Sequence, residues 1–404
     1  MRISTSTLYS ESVTNLNNLQ NRLAVTQQQI ATGRRILNPA DDPSGAARAV
    51  ELTLSDATNT QYGTNRNAAI NTLSLAEGVM QSVTTLLQDA RVAAITAGNG
   101  QLNDTSRKSL ATELQGRLEE LYALANSTDG EGNFLFSGAQ GNIKPFVSTA
   151  AGAVYQGDDV QRKVQAAASR QIAYTDSGAD LFMRIRNGNG LFVAAPAAGN
   201  TGTGSISQGS VINTALYSNN SYQIAFTGAT TYNVVDVTAG PPGTAVVTGA
   251  TYTSGQAINF NGVQVEITGA PAAGDTFNLT PSTNQSVFTT LGNLIATLNA
   301  SVPSTNAMAS AAYRQGLNDA IGALDQGLGN VLNFRATMGS RLRELDALQA
   351  TGDEVGLQLK KTLSKVQDTD YNKAVSELAL EQTTLQAAQQ SFAKISKMSL
   401  FDYL

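Results

Sequence analysis

A few short clusters hold the side chains that could do chemistry. Asp158-Asp159 is a pair of carboxylates, Gly188-Asn189-Gly190 has the texture of a phosphate or calcium loop, and Arg34-Arg35 stands a short segment before Asp41-Asp42. General acid-base work needs two carboxylates converging on one bond. Neighbouring strand residues point to opposite faces, so Asp158-Asp159 reads as a turn. The glycine loop lacks the Lys-Ser/Thr of a P-loop and any repeat, and it too reads as a turn. Cys, His and Trp are absent from the 404 residues. That removes thiol and imidazole nucleophiles, the Ser-His-Asp relay, HExxH zinc sites and cysteine metal cages. A hydrolase using carboxylates alone is the remaining catalytic reading, and nothing in the spacing supports it. No catalytic, metal or cofactor-binding residue is expected.

Arg34, Arg35, Asp41 and Asp42 suit ion pairing instead. They form either a solvated hinge, where such pairs contribute at most about 1 kcal/mol, or part of a contact between subunits. Lys plus Arg is 26 against Asp plus Glu at 31, a net charge of -5, and no long basic tract gathers the positive residues. Neither nucleic acid nor a membrane is therefore an expected partner. No apolar run is long enough to span a bilayer. Met1 to Ser10 has no apolar core of the secretory-signal type, so export would need another route, and without Cys there are no disulfides.

The elements that must position these clusters divide the chain into helical flanks around a β-rich centre. Leu16, Leu19, Leu23 and Ile30, with Tyr9 a heptad before Leu16, form one narrow apolar seam on a first helix. Gly33 stops that helix and Asn38-Pro39 blocks its continuation. Asp42-Pro43 reads as an N-cap with proline at the first helical position. Leu73, Ala76, Met80, Val83, Leu87, Ala90 and Ala94 then keep a heptad, with Val79, Leu86 and Ala93 as a second stripe, so this helix has neighbours on two sides. Gly98-Asn99-Gly100 ends it, Asp104 is the expected cap of the next helix, and Leu114, Leu118, Leu121 and Ala125 carry that one to a turn at Asn126 to Gly132.

The far flank spaces Leu317, Leu324, Val331, Met338 and Leu345 seven apart, with Ile321, Leu328 and Leu342 between and Arg335 breaking the seam. The last helix spaces Tyr371, Leu378, Leu385 and Phe392 likewise, with Ala374, Ala388 and Ile395 between. Seams need covering, which predicts that first and last helices pair and the inner ones bundle. From about Ile143 to Leu279 the texture is β, and Asn261-Gly262 between Ile258-Asn259-Phe260 and Val263-Gln264-Val265 predicts a hairpin. The expected fold is mainly α with an inserted β domain, a folded-back antiparallel helical coiled-coil and bundle with both termini in one domain. The expected division is 1–42 with 355–404 as terminal coil, 43–180 with 285–354 as helical rod with a hairpin region, and 181–284 as the β domain.

The run from Ala31 to Arg48, ATGRRILNPADDPSGAAR, resembles the N-terminal signature of the flagellin family. Its two prolines and the ending Met398 to Leu404 resemble the hook-filament junction branch rather than flagellin proper. Lys365 to Tyr371, Leu385 to Gln390, Asn133 to Gly138, Tyr155 to Asp158 and Arg335 to Gly339 are similar to further family segments in both flanks. The resemblance implies a structural subunit of the bacterial flagellum in a layer between hook-associated protein 1 and the filament. It implies as partners hook-associated protein 1, flagellin, copies of itself in a ring and a cytoplasmic export chaperone, with an extracellular location reached by the flagellar type III apparatus without a cleaved signal. A flagellin-like filament subunit is the alternative within the family. A surface adhesin is the alternative outside it, and would call for a signal peptide or anchor.

On this reading Leu16, Leu19, Leu23, Ile30, Tyr371, Leu378, Leu385, Phe392 and Ile395 are the packing and assembly residues, with Arg34, Arg35, Asp41 and Asp42 between the terminal coil and the rest. The first helix has Arg2, Glu11 and Arg22 as its only charges through Thr32, so copies could pack side by side without like-charge repulsion.

Overall fold

The computed structural model describes residues 5–99, 102–149, 152–302 and 306–397. It has helical flanks around an inserted β domain, in two compact units: Met1–Asn65 with Ala347–Leu404, and Arg66–Asp346. The unit boundary falls inside two long helices, α2 (Pro43–Ala97) and α5 (Ala307–Gln367).

In the terminal unit, α1 (Thr5–Thr32) ends where Gly33 takes a φ of +68°, a conformation glycine adopts without penalty. α6 (Tyr371–Lys397) runs antiparallel to it: Tyr9 meets Phe392 with ring centroids 5.2 Å apart, Arg22 lies 3.5 Å from Glu381, and the Thr369 hydroxyl donates to the Gln29 carbonyl. The pairing of first and last helix is therefore present, with both described ends in one unit. Asp42 caps α2 as expected, its Oδ1 accepting from the backbone N–H of Gly45 at 2.9 Å ahead of Pro43-initiated helix.

In the larger unit the central heptad of α2 is covered: Leu73, Met80, Val83, Leu87, Ala90 and Ala94 are all buried. So are Leu317, Leu324, Val331, Met338 and Leu345 of α5. The two helices are antiparallel, linked by Arg335 to Glu77 at 2.7 Å and by the Tyr313 hydroxyl to the Ala97 carbonyl at 3.0 Å. The arginine that interrupts the seam thus makes a crossing ion pair. α3 (Asp104–Ala125) is capped by Asn103, whose Oδ1 accepts from Ser106 N. This corrects the expectation for Asp104, which sits inside the first turn and pairs with Arg107 instead. α4 (Val287–Asn299) has no counterpart in the sequence reading; Ser286 caps it and Phe288, Leu291, Leu294, Ile295 and Leu298 are buried. α4 packs on α3, and Phe288 joins Tyr122, Phe146 and Phe182 in an aromatic cluster.

The inserted β domain has one antiparallel sheet ordered Thr244–Thr251, Thr231–Asp236, Tyr222–Gly228, Thr276–Pro281, Phe192–Pro196. A second pairs Ala257–Phe260 with Val263–Thr268 and two short strands. Tyr222, Ile224, Phe226, Val265, Ile267 and Phe277 fill a common core, since alternate strand residues share a face. The expected hairpin turn is present, with φ of 41° at Asn261 and 77° at Gly262.

Candidate assembly interface

Two features of the terminal unit bring the sequence-derived site residues together. The first is a clip between the segments that leave α1 and enter α6. Arg35 N donates to the Gln367 carbonyl at 2.7 Å and Thr369 N to the Gly33 carbonyl at 2.9 Å, a short antiparallel bridge. The Arg35 guanidinium donates to the Val366 carbonyl at 2.9 Å and to Asp42 Oδ2 at 3.1 Å. Asp42 also accepts from the Ser44 hydroxyl. The Gly45 amide, the Ser44 hydroxyl and the Arg35 guanidinium, in that order, hold its carboxyl below the usual range. Asp41 turns inward on its own loop, Oδ2 accepting from the amides of Leu37 at 3.2 Å and Asn38 at 2.8 Å. Arg34 is exposed, and its guanidinium meets no partner among the described residues.

The second feature is the α1–α6 seam. Leu16, Leu19, Leu23 and Ile30 are half-buried, as are Leu378, Leu385 and Phe392. Tyr371 is exposed, its hydroxyl close to Gly33. The side chain of Ile395 and the ending Met398 to Leu404 lie outside the described residues. Thr26 completes the heptad Leu16, Leu19, Leu23, Thr26, Ile30 and is buried, though a purely apolar template skips it. Glu381 sits in the seam with its side chain 11% exposed, and Oε2 has no partner among the described residues. A buried polar group in a coiled-coil seam favours one register. Beyond the seam Val25, Val375 and Leu380 of the paired helices are exposed, as are Val50, Leu54, Val355 and Leu357 on α2 and α5.

The sequence-derived chemical clusters resolve as turns. Asp158 Oδ1 accepts from Ala139 N and Val160 N, while Asp159 is bound by Ser177 and Arg184. Asn189 Oδ1 accepts from Leu191 N and Phe192 N between two glycines of positive φ.

Three family models match the chain: the bacterial flagellin N-terminal helical region over residues 3–141, the D2-like domain of flagellar hook-associated protein 1 over 196–281, and the bacterial flagellin C-terminal helical region over 321–404. Flagellar hook-associated protein 3 of Salmonella typhimurium is 28% identical over 99% of both chains. The crystal structure of FlgL of Xanthomonas campestris is 32% identical, with 76% of this chain and 98% of that one covered and a TM-score of 0.71. The structure of flagellar hook-associated protein 3 of Legionella pneumophila is also 32% identical, covering 78% and 98%, with a TM-score of 0.73.

Proposed function

Because the chain belongs to the flagellar hook-associated protein 3 (FlgL) family, we propose that it is the hook-filament junction subunit of its flagellum, acting through complementary surfaces and not by catalysis. One observation supports this reading above others: the α1–α6 pair leaves its own seam half-covered and carries further exposed apolar side chains, as a segment completed by neighbours would. The sparse charge of α1 allows copies to stand side by side. Residues 1–42 and 355–404 are then the assembly domain, 43–180 with 285–354 the helical domain with its hairpin region and 181–284 the inserted β domain. Arg34 and Tyr371, exposed beside the clip, face sister subunits, and the half-buried leucines serve both chain and ring. The partners are hook-associated protein 1 on one side, flagellin on the other, copies of the chain within the layer, and a chaperone before export through the type III apparatus.

Deletion of the gene tests the assignment. Cells are expected to make hooks without filaments and to shed flagellin into the medium, with filaments restored by the wild-type copy. Normal filaments in the deletion strain would remove the junction reading.

A further inference from the structure

Inside the larger unit a cavity of about 270 Å³ opens where the inserted β domain meets α4 and α5. That size is just below the range of drug-sized ligand pockets, about 300 to 1,000 Å³, and suits a smaller molecule. Its polar lining is unusual in the direction of its hydrogen bonds. The Gln208 amide donates to the Asn318 carbonyl at 3.1 Å, and the Gln285 amide to Thr290 Oγ1 at 2.9 Å. Thr297 donates its hydroxyl proton to the Asn293 carbonyl at 2.9 Å. Each of these donors is engaged in the wall, while the carbonyl oxygens of Gln208 and Gln285 have no partner among the described residues. Asp319 adds a carboxylate: Oδ1 accepts from Gln315 at 2.8 Å, and Oδ2 has no partner among the described residues. The lining thus offers free acceptors, beside one free donor group, the side-chain amide of the exposed Asn293, which meets no partner among the described residues.

Among the described residues no ion pair reaches Asp319, and Arg186, next to the lining residue Asn187, donates to the Ser282 carbonyl at 2.9 Å. Residues 187–284 contain no Lys or Arg, and α4 has no charged residue. Arg314 of α5 is off its face, because only positions three and four apart are helix neighbours. Though the residue stands at an open mouth, burial of the carboxyl against the cavity wall pushes it up to about 6. Asp319 is an exposed residue, so water can solvate its carboxylate as well as the free acceptors. A primary ammonium complements both, with three donors and a positive charge. Gln315 holds the site in shape, its Oε1 accepting from the Ser205 hydroxyl and from Ile206 N, each at 2.9 Å, so that α5 is tied to the β domain.

We infer that this cavity binds a small alkylammonium compound, with Asp319 as counter-ion and the Gln208 and Gln285 carbonyls as further acceptors. Calorimetric titration of the full chain at fixed ionic strength, with 1,4-diaminobutane against its neutral isostere 1,4-butanediol, tests this. Saturable one-to-one binding of the diamine is expected, at least about tenfold tighter than the diol. Asp319→Asn, which keeps the shape and the Gln315 contact, should weaken it at least about tenfold. Glu266→Gln, which removes an exposed carboxylate of the β domain, should leave it unchanged and so exclude general attraction to an acidic protein. Ala323→Leu, which fills the cavity and replaces no polar group, should abolish binding and provides the test if Asp319→Asn misfolds. Failure of the wild-type chain to bind the diamine, equal uptake of the diol, or binding that survives a folded Asp319→Asn or Ala323→Leu variant would overturn the inference.

Discussion

Asp42 and Asp319 are pushed in opposite directions by their surroundings, and the pH dependence of stability should divide between them. Asp42 is held below 3.8 by hydrogen bonds to its ionised form, so its contribution is present at neutral pH and lost as pH falls through the lowered value. Asp319 is raised from 3.8 to about 6, so the native state binds its proton more tightly than the unfolded chain does. Stability therefore declines as pH rises from 3.8 to about 6, and the penalty persists at neutral pH. Asp319→Asn should raise neutral-pH stability by about 1 kcal/mol, less than the whole shift would give because the mouth admits water. Urea unfolding of both proteins should show that gain shrinking toward acid pH; an equal gain at all pH values would place its origin elsewhere. At the clip, Arg35→Gln removes the guanidinium from both Asp42 and the Val366 carbonyl while leaving the caps from Gly45 and Ser44. A small local loss of stability is expected. Hydrogen exchange should report it as faster exchange at the amides of Arg35 and Thr369, with the larger unit unchanged.

At the scale of the element, seams of equal regularity carry different burdens. Leu324 of α5 is fully covered, whereas Leu385 of α6 is half-buried. Leu324→Asp places an unpaired carboxylate in a packed core at a cost of several kcal/mol, a large share of the roughly 5 to 15 kcal/mol that stabilises a domain. It should unfold or aggregate. Leu385→Asp can turn its charge toward water, so the chain should stay soluble with nearly normal thermal unfolding and yet fail to complement filament growth. Equal melting of both variants would make the terminal pair part of the folding core. These seams were legible because a heptad repeats often enough to rise above noise, and Gly33, Asp42-Pro43 and Asn261-Gly262 were legible because few residues suit their backbone. α4 was not, since Thr289-Thr290 and Gly292-Asn293 continue the texture of the β region before it; Ser286 and the spacing Leu291, Leu294, Ile295, Leu298 were the available signal. Arg335 read as a flaw because its partner Glu77 lies on another helix, a distance spacing cannot cross. The buried contacts of Arg66 with the Ala166 carbonyl and of Arg341 with Asp176 were hidden for the same reason. The cavity of Asp319 was hidden too, because it is walled by four separate stretches of chain.

Over the whole molecule, burial is unevenly shared between the two units. Among the described residues of the terminal unit, only Thr26, Ala49, Leu52, Gly352 and Ala374 are buried. None is aromatic and one alone is a large aliphatic. The larger unit holds a leucine-rich helical core, the aromatic cluster around Phe146 and Phe182, and the sheet core around Phe226 and Phe277. Each buried Leu or Phe contributes roughly 1.5 to 3 kcal/mol, so the larger unit can offset its own conformational entropy and the terminal unit has little with which to do so. A helix pair with a half-covered seam opens locally at a small fraction of the global free energy. Limited proteolysis of dilute protein should therefore cut within α1 and α6 first, trimming roughly the first 38 and last 40 residues, and leave a stable fragment containing 66–346. Mass spectrometry of the products locates the cuts, and the fragment should unfold with nearly the midpoint of the full chain. Once copies assemble, the exposed apolar side chains of the terminal unit are covered and the same sites should resist the protease. An intact, resistant chain at low concentration would show that the terminal unit is stable without neighbours, and the proposed dependence of its order on assembly would fall.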